Sequence, residues 1–344
     1  MSPAGSAAPE AERALALAAE AGVHRLALPT PFLVGRVNAY LIEDDPLTLI
    51  DTGPNSGTTL DELDVALRAR GHTIAELELI VITHQHIDHL GLLEILVRRS
   101  GAEVAALDRL APYLRDFSAG AVADDEFASA IMARHGVPPD VITALTSVGA
   151  SFRAYGSSAE VTRPLRDGDE LQLAGRRLRV LHRPGHSPSD TVFWDEERRM
   201  LLAGDHLLGH ISSNPLITRP LDGPAPDGER PHALLDYIGS LRATRELPLS
   251  LVLTGHGDPV TDHVTLIDER LRLHDRRAAK LLGMLAGGPL TAYEMAVQMW
   301  SNVAVTQAYL TISEVLGHMD LLAARGQVVE HDDGTLTRFA AAAA

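Results

Sequence analysis

Cysteine is absent from the 344 residues. That removes disulfides, thiolate metal ligands and cysteine nucleophiles together, and leaves His, Asp and Glu as the side chains on offer for metal binding. Lysine is nearly absent too. Lys280 is the sole lysine among basic residues that are otherwise arginine, a compositional bias to which no function is assigned. Positive charge is in short supply: 30 basic residues against 46 acidic ones give a net charge of −16. Such a chain repels a phosphate backbone overall, which argues against nucleic acid as a partner. No apolar run approaches the roughly 20 residues that a bilayer span requires, so no membrane partner is expected. The first 21 residues are rich in alanine but carry Glu10, Glu12, Arg13 and Glu20, without the basic start and unbroken apolar stretch of a secretory signal. The expectation is a cytoplasmic protein with a disordered lead-in over 1–22 that includes a short helix from about Pro9.

What remains reads as an α/β chain. Strand-like apolar runs fall at 36–43 and 47–50, the second ending in Asp51-Thr52-Gly53. A helical pattern through Leu60, Leu63 and Leu67 stops at Gly71. The run 77–83, with Ile80, Val81 and Ile82, suggests a strand buried on both faces. A helix over 90–99 and a strand over 102–107 follow. The stretch 113–156 is helical in character, broken at Gly136-Val137-Pro138-Pro139, and has the look of an insertion that covers and shapes a site. Strands are then expected at 170–173, 177–182, 191–194 and 200–203, a loop rich in Pro, Gly and Asp at 211–231, a helix at 232–246 and a last core strand at 249–254. From about Asp262 the texture is helical (262–285, 291–300 and 306–324), and a hairpin around Asp332-Asp333-Gly334 closes the chain. Three helices and a hairpin make a winged-helix outline.

The most informative segment is Thr83-His84-Gln85-His86-Ile87-Asp88-His89, placed where the buried strand gives way to a helix. Residues two apart in extended backbone project to the same side, so His84 and His86 can share one metal. Asp88 and His89 fall where the chain turns and can address a second ion. A polar loop with Asp88 as a helix N-cap is the plainer alternative, but it leaves four potential ligands in six residues without a reason.

This His-x-His-x-Asp-His segment resembles the signature of the metallo-β-lactamase superfamily, and the rest of that pattern follows in order. Asp51 matches the aspartate ending an early strand. His186 in Pro184-Gly185-His186 matches the third ligand of the first metal, Asp205 in Ala203-Gly204-Asp205 the carboxylate between the ions, and His256 in Thr254-Gly255-His256 the last ligand of the second. The resemblance spans about 25–257 and implies a four-layer αββα fold over 23–261, with 113–156 inserted, followed by a C-terminal winged-helix-like domain over 262–344. It implies His84, His86 and His186 on one ion, Asp88, His89 and His256 on the other, Asp205 between them, and Asp51 orienting a ligand histidine. His182 and His206 adjoin these motifs, but sequence proximity is weak evidence of a role.

The implied chemistry is hydrolysis assisted by two zinc ions, with iron or manganese left open because imidazole and carboxylate suit all three. A hydroxide generated at the metals would attack a carbonyl, with Asp88 and Asp205 orienting it and carrying its proton. The pattern resembles the glyoxalase II-like branch, which favours thioesters, and lactonases. An ester, thioester or lactone is therefore the expected small-molecule substrate. Two readings of the same fold compete: an endoribonuclease-like phosphodiesterase and a persulfide dioxygenase-like iron enzyme. A catalytically idle regulatory domain is a third. From Gly287 onward two arginines face six carboxylates, a net of −4, so the C-terminal region is read as a packing or dimer-forming appendage, with a homodimer open. Specificity is expected to reside in 113–156 and 211–231.

Overall fold

The computed structural model describes residues 7–223 and 230–343. The lead-in expectation therefore lies partly outside the described residues, at 1–6, as does part of the 211–231 loop. Where the lead-in is described it is a 14-residue helix, α1 (Ala7–Glu20), which buries Ala14 and Ala18 against the strands that follow.

Two sheets pack face to face. The first runs β1 (Val23–Leu28), β2 (Val37–Ile42), β3 (Thr48–Ile50), β4 (Leu79–Val81), β5 (Glu103–Leu107) and β6 (Arg163–Leu165) in spatial order, antiparallel up to β3 and parallel from there. The second has the order β11 (Leu251–Thr254), β10 (Met200–Gly204), β9 (Thr191–Asp195), β8 (Arg177–His182) and β7 (Glu170–Gln172), with only the β10–β11 pair parallel. Strands β3 and β4 are buried along their whole length, which is why their sequences are unbroken apolar runs rather than alternating ones. Between the sheets, Ile50, Val81 and Ala105 meet Val180, Phe193, Leu202 and Leu253.

Helices cover both outer faces. Over the first sheet lie α2 (Gly57–Arg68), α3 (Ile87–Leu90), α4 (Leu93–Ser100) and α5 (Ala111–Arg115), which bury Leu63, Leu67, Leu90, Leu96 and Leu114. Ser56 caps α2 by accepting from the Thr59 amide, and Gly101, in the left-handed region at φ +75°, ends α4. The insertion is α6 (Phe117–Arg134) and α7 (Pro139–Phe152), parted at the expected Gly136–Pro138 break. The second sheet is covered by α8 (Ala233–Arg245), α9 (His263–Met284), α10 (Ala292–Trp300), the short α11 (Val303–Thr306) and α12 (Ala308–Ala324), with the hairpin β12 (Val328–Asp332) and β13 (Thr337–Ala341) at the end. The result is the four-layer α/β architecture. None of the described helices is long and apolar enough to cross a membrane.

The C-terminal helices do not carry a core of their own. Ile312, Val315, Leu316 and Met319 of α12 belong to the same apolar cluster as Leu201 and Val252 of the second sheet and Leu234 and Leu241 of α8. The expected third helix, 306–324, is split at Gln307, whose φ of −130° and ψ of 41° leave the helical region. Two strands went unread in the sequence. β1 is bounded by Gly22 and Pro29, but the adjacent His24 and Arg25 break its apolar alternation, and β6 is a three-residue edge strand whose central Pro164 argues against a strand wherever both ladders must be made.

Histidines buried away from the strand ends tie this packing to pH. His135 is pushed down to about 3 by burial and by the guanidiniums of Arg230 and Arg134; burial also takes His274 and His318 down to about 4. His274 and His318 meet at 3.3 Å between α9 and α12, where Arg277 pairs with the neighbouring Glu314 and already supplies the cation for that carboxylate. Neutral in the fold, these rings take up protons on unfolding between about pH 6.5 and their folded values near 3–4. Stability should therefore fall as pH drops from about 6.5 toward 4, read as a declining urea midpoint across that window; a flat midpoint would contradict it. Phe193, fully buried between the sheets, should cost about 3–5 kcal/mol when replaced by alanine. Val65→Ala on the exposed face of α2 should stay within about 0.5 kcal/mol. Equilibrium unfolding of the two variants side by side checks both.

Candidate metal centre

Each sequence-read ligand sits just beyond a strand, at one rim of the sandwich. β3 ends at Ile50, and Asp51 follows with φ +58°, a left-handed conformation that a non-glycine residue adopts at a cost. Three contacts hold it there: Oδ1 accepts from the Thr83 amide at 2.9 Å, Oδ2 from the Thr83 hydroxyl at 2.8 Å, and Oδ2 meets His89 Nδ1 at 2.8 Å. Beyond β4 the chain bends at Gln85, and His86, at φ −72° and ψ 143°, is extended just before the single turn of α3. His84 and His86 thus flank a bend rather than sharing one extended run, and Asp88 and His89 leave from a helical turn, the change of direction that the spacing implied.

His186 lies on the β8–β9 loop. Asp190 pins that loop by accepting from the Ser187 amide at 3.0 Å and the Ser187 hydroxyl at 2.8 Å, and burial pushes its carboxyl up to about 6. Asp205 follows β10 at a register shift in the β10–β11 pairing. His256 follows β11 through Gly255, where an added Cβ would lie 2.2 Å from Asp205 Oδ1 and 2.9 Å from His89 Cε1. Only glycine leaves room for the carboxylate there.

The seven side chains converge as two groups. His86 Nδ1 lies 3.0 Å from both His84 Nε2 and His186 Nε2. Beside this trio, His256 Nε2 lies 3.2 Å from Asp88 Oδ2, with His89 completing a second group of three. Asp205 stands between them. Its Oδ2 is 3.5 Å from both His186 Nε2 and His256 Nε2, and its Oδ1 is 3.4 Å from His89 Nε2. In four of the five rings the outward nitrogen meets a chain oxygen: His84 on the Thr83 hydroxyl, His89 on Asp51, His186 on the Asn214 carbonyl and His256 on the Arg36 carbonyl. Those contacts fix the rings with the other nitrogen turned inward.

The inward atoms fit divalent cations. His89 Nε2, His256 Nε2 and Asp205 Oδ1 are buried without a hydrogen-bond partner, a costly condition that cations would relieve. The two groups also differ in electrostatics. Burial and neighbouring imidazoles hold His84 well below the usual histidine range and His86 down to about 3, as neutral ligands. Burial opposes charge on His89 and His256 as well, but Asp205, aided by Asp51 and Asp88, holds His89 well above its usual range, and His256 stands at about 9. His182 and His206 do not join the centre. His182 meets the Pro188 carbonyl at 2.9 Å and His206 the Thr244 hydroxyl at 2.9 Å.

A profile described as the metallo-beta-lactamase superfamily matches residues 33–256, the span that holds all these ligands. The chain belongs to the metallo-β-lactamase superfamily. A relative named "Probable metallo-hydrolase YqjP", from Bacillus subtilis (strain 168), is 33% identical over 313 residues, covering 91% of this chain and 95% of its own. A metallo-beta-lactamase family protein from Thermus thermophilus superposes with a TM-score of 0.76 at 27% identity, covering 93% of this chain and 98% of that one. More locally, an atrochrysone carboxyl ACP thioesterase of Aspergillus fumigatus is 27% identical over 157 residues, 46% of this chain and 32% of its own.

In this superfamily member His86, Asp88, His186, Asp205 and His256 form the floor of an open cleft of ≈590 Å³, with His84 and His89 buried beneath it. Its walls include Tyr113, Asp124 and Phe127 from the insertion and its approach, and Ile211, Leu216 and Arg219 from the following loop, the two segments expected to shape it. Two further walls were not legible. Phe32 and Val34 come from the β1–β2 loop, and Tyr309 and Leu310 from the start of α12. No local motif marks them; only an apolar residue beside a turn or helix start could have hinted at them. Phe32 is itself braced by Phe152 and Tyr155, with ring centroids 5.5 and 5.8 Å away.

Metal content checks the central carboxylate. Asp205→Ala and Gly255→Ala should each lose at least one of two bound equivalents by elemental analysis, with near-native far-UV circular dichroism. Asp51→Asn, which touches no cation, should retain binding weakened by about 10–100-fold. Two full equivalents in Asp205→Ala would count against Asp205 as a ligand shared by both groups.

Proposed function

We propose that the protein is a dinuclear zinc hydrolase of the glyoxalase II-like type, acting on a thioester or lactone carbonyl. The observation that carries this reading is the pair of three-residue groups meeting at Asp205 on the floor of an open cleft. His84, His86 and His186 would hold one cation, Asp88, His89 and His256 the other, with Asp205 shared. Bound there, the pair supplies Lewis acidity and a hydroxide at neutral pH. The chain's own part is to orient and to relay. Asp88 and Asp205, both on the cleft floor, accept hydrogen bonds from the attacking water and can pass its proton toward the leaving group. Phe32, Phe127 and Leu216 exclude bulk water and position the acyl group.

The relatives named as a metallo-hydrolase and as an acyl-carrier thioesterase support a hydrolytic reading and favour thioesters among carbonyl substrates. A persulfide dioxygenase-like iron enzyme would employ the His84–His86–His186 set alone, and the completeness of the second set weighs against it. An endoribonuclease-like phosphodiesterase would need a basic path, and the net charge of −16 weighs against that. We read the C-terminal region as a winged-helix-like wall of the cleft rather than a nucleic-acid module, and the chain as a cytoplasmic enzyme.

One zinc-loaded preparation, assayed on a thioester, a lactone, a β-lactam and a phosphodiester, tests the reading. The better of the first two should exceed the phosphodiester in kcat/KM by at least about tenfold, or roughly 1.4 kcal/mol of barrier. Phosphodiesterase activity above both would reverse the assignment, and oxygen uptake with an iron-loaded sample would replace it with the oxygenase.

A further inference from the structure

The walls of the cleft are self-neutralised. Among the described residues that line it above the metal ligands, Arg219 is the cationic side chain, and it is already paired with Asp124 at 3.1 Å. Asp124 also sits against the Tyr113 phenol. The other acidic lining residue, Asp125, is taken by Arg153 at 2.9 Å. The segment 224–229, Pro-Ala-Pro-Asp-Gly-Glu, has no basic residue to add. The rest of the wall is uncharged: Phe32, Val34, Phe127, Leu208, Leu216 and Leu310 are apolar, and the polar groups among them, Gln85, Ser212, Ser213, Asn214 and Thr218, are neutral. This lining continues to the mouth, where Ile211 and Leu310 are each 40% exposed and Leu33, between two lining residues, is 96% exposed. Any carboxylate or phosphate placed along these walls would lose its hydration and gain no free cation, only neutral hydroxyl and amide donors, which do not offset the burial of a charge. An alkyl group would gain from every methylene buried.

We infer that the cleft selects an uncharged, apolar acyl group of several carbons, with the carbonyl end down at the ligand floor, and rejects acyl groups that carry a second anionic group. The inference rests on the hydrolase reading for the word acyl; the preference for an uncharged apolar occupant rests on the walls alone. The Asp124–Arg219 pair is the specificity-determining contact. By holding the guanidinium, Asp124 keeps the cleft from offering a cation to a substrate carboxylate.

The test uses the metal-loaded full chain with N-acetylcysteamine thioesters as probes. From acetyl through butyryl and hexanoyl to octanoyl, kcat/KM should rise by about two- to fourfold per methylene. The adipoyl thioester, hexanoyl with a terminal carboxylate, should fall at least tenfold below hexanoyl. Asp124→Asn frees Arg219 and should narrow that gap at least threefold. A second readout needs no turnover: octanamide should raise Tm more than acetamide or suberamic acid does. Turnover that is flat along the series, or equal for adipoyl and hexanoyl, overturns the inference and leaves the hydrolase reading standing. If neither a thioester nor a lactone turns over but octanamide is still the preferred ligand, the hydrolase reading fails and the assignment of the cleft to an uncharged apolar occupant is upheld.

Discussion

A single carboxylate carries the arrangement. Asp205 places one oxygen 3.5 Å from a nitrogen of each ligand group and the other 3.4 Å from His89, in a setting almost closed to water. An isolated carboxylate there would be expensive, and so would five converging imidazoles. Burying both together is tenable because each is the other's compensation, completed by cations when they bind. Much of the rim can be understood as what it takes to deliver this carboxylate and those rings to one point without strain elsewhere.

Backbone features follow from that demand. Gly255 is required because Asp205 Oδ1 occupies the space of a side chain. Gly204, at φ +48°, turns β10 so that the next residue leaves the sheet toward the converging histidines, and its missing side chain would have met the Thr83 hydroxyl at 2.9 Å. That hydroxyl is in turn bound to Asp51, which holds His89. A strained aspartate, a threonine and two glycines therefore form one chain of contacts from the first sheet to the second. Strain at Asp51 persists because three contacts over-determine its position, as is usual where function is concentrated.

The converging histidines and aspartates were legible in sequence because their placement is local: four of them fall within six residues just beyond β4, and Asp51, Asp205 and His256 one or two residues past the end of an apolar strand. Such relations survive without knowledge of the fold. The buried parallel strands were legible for a similar reason, since burial on both faces writes an unbroken apolar run. The cleft walls were not. Phe32, Tyr309 and Leu310 are separated by nearly the whole chain and meet only through tertiary packing, and nothing in their neighbours distinguishes them from ordinary surface or core residues. The C-terminal boundary suffered likewise. A change of texture at Asp262 marked a helical region correctly, while the apolar cluster that α12 shares with the second sheet is invisible to periodicity.

That shared packing changes what the C-terminal region is for. The loop from Ile211 to Arg219 is stitched to α12 at several points: Asn214 donates to the Leu310 carbonyl at 3.2 Å, the Ile217 amide to the Ser313 hydroxyl at 3.4 Å, and the Tyr309 phenol to the Ile217 carbonyl. The same loop reaches the metal ligands, through the Asn214 carbonyl on His186 Nδ1 and the Ser213 hydroxyl on the Asp205 carbonyl. One short segment thus sets the orientation of a ligand ring, the position of the shared carboxylate and the far wall of the cleft. A shift of α12 would be felt at His186 through Asn214, so the helical region acts as a structural part of the site. Tyr309 and Leu310 thus stand a few bonds from the converging side chains, a geometry in which any contact made along that wall would be transmitted to His186 and Asp205.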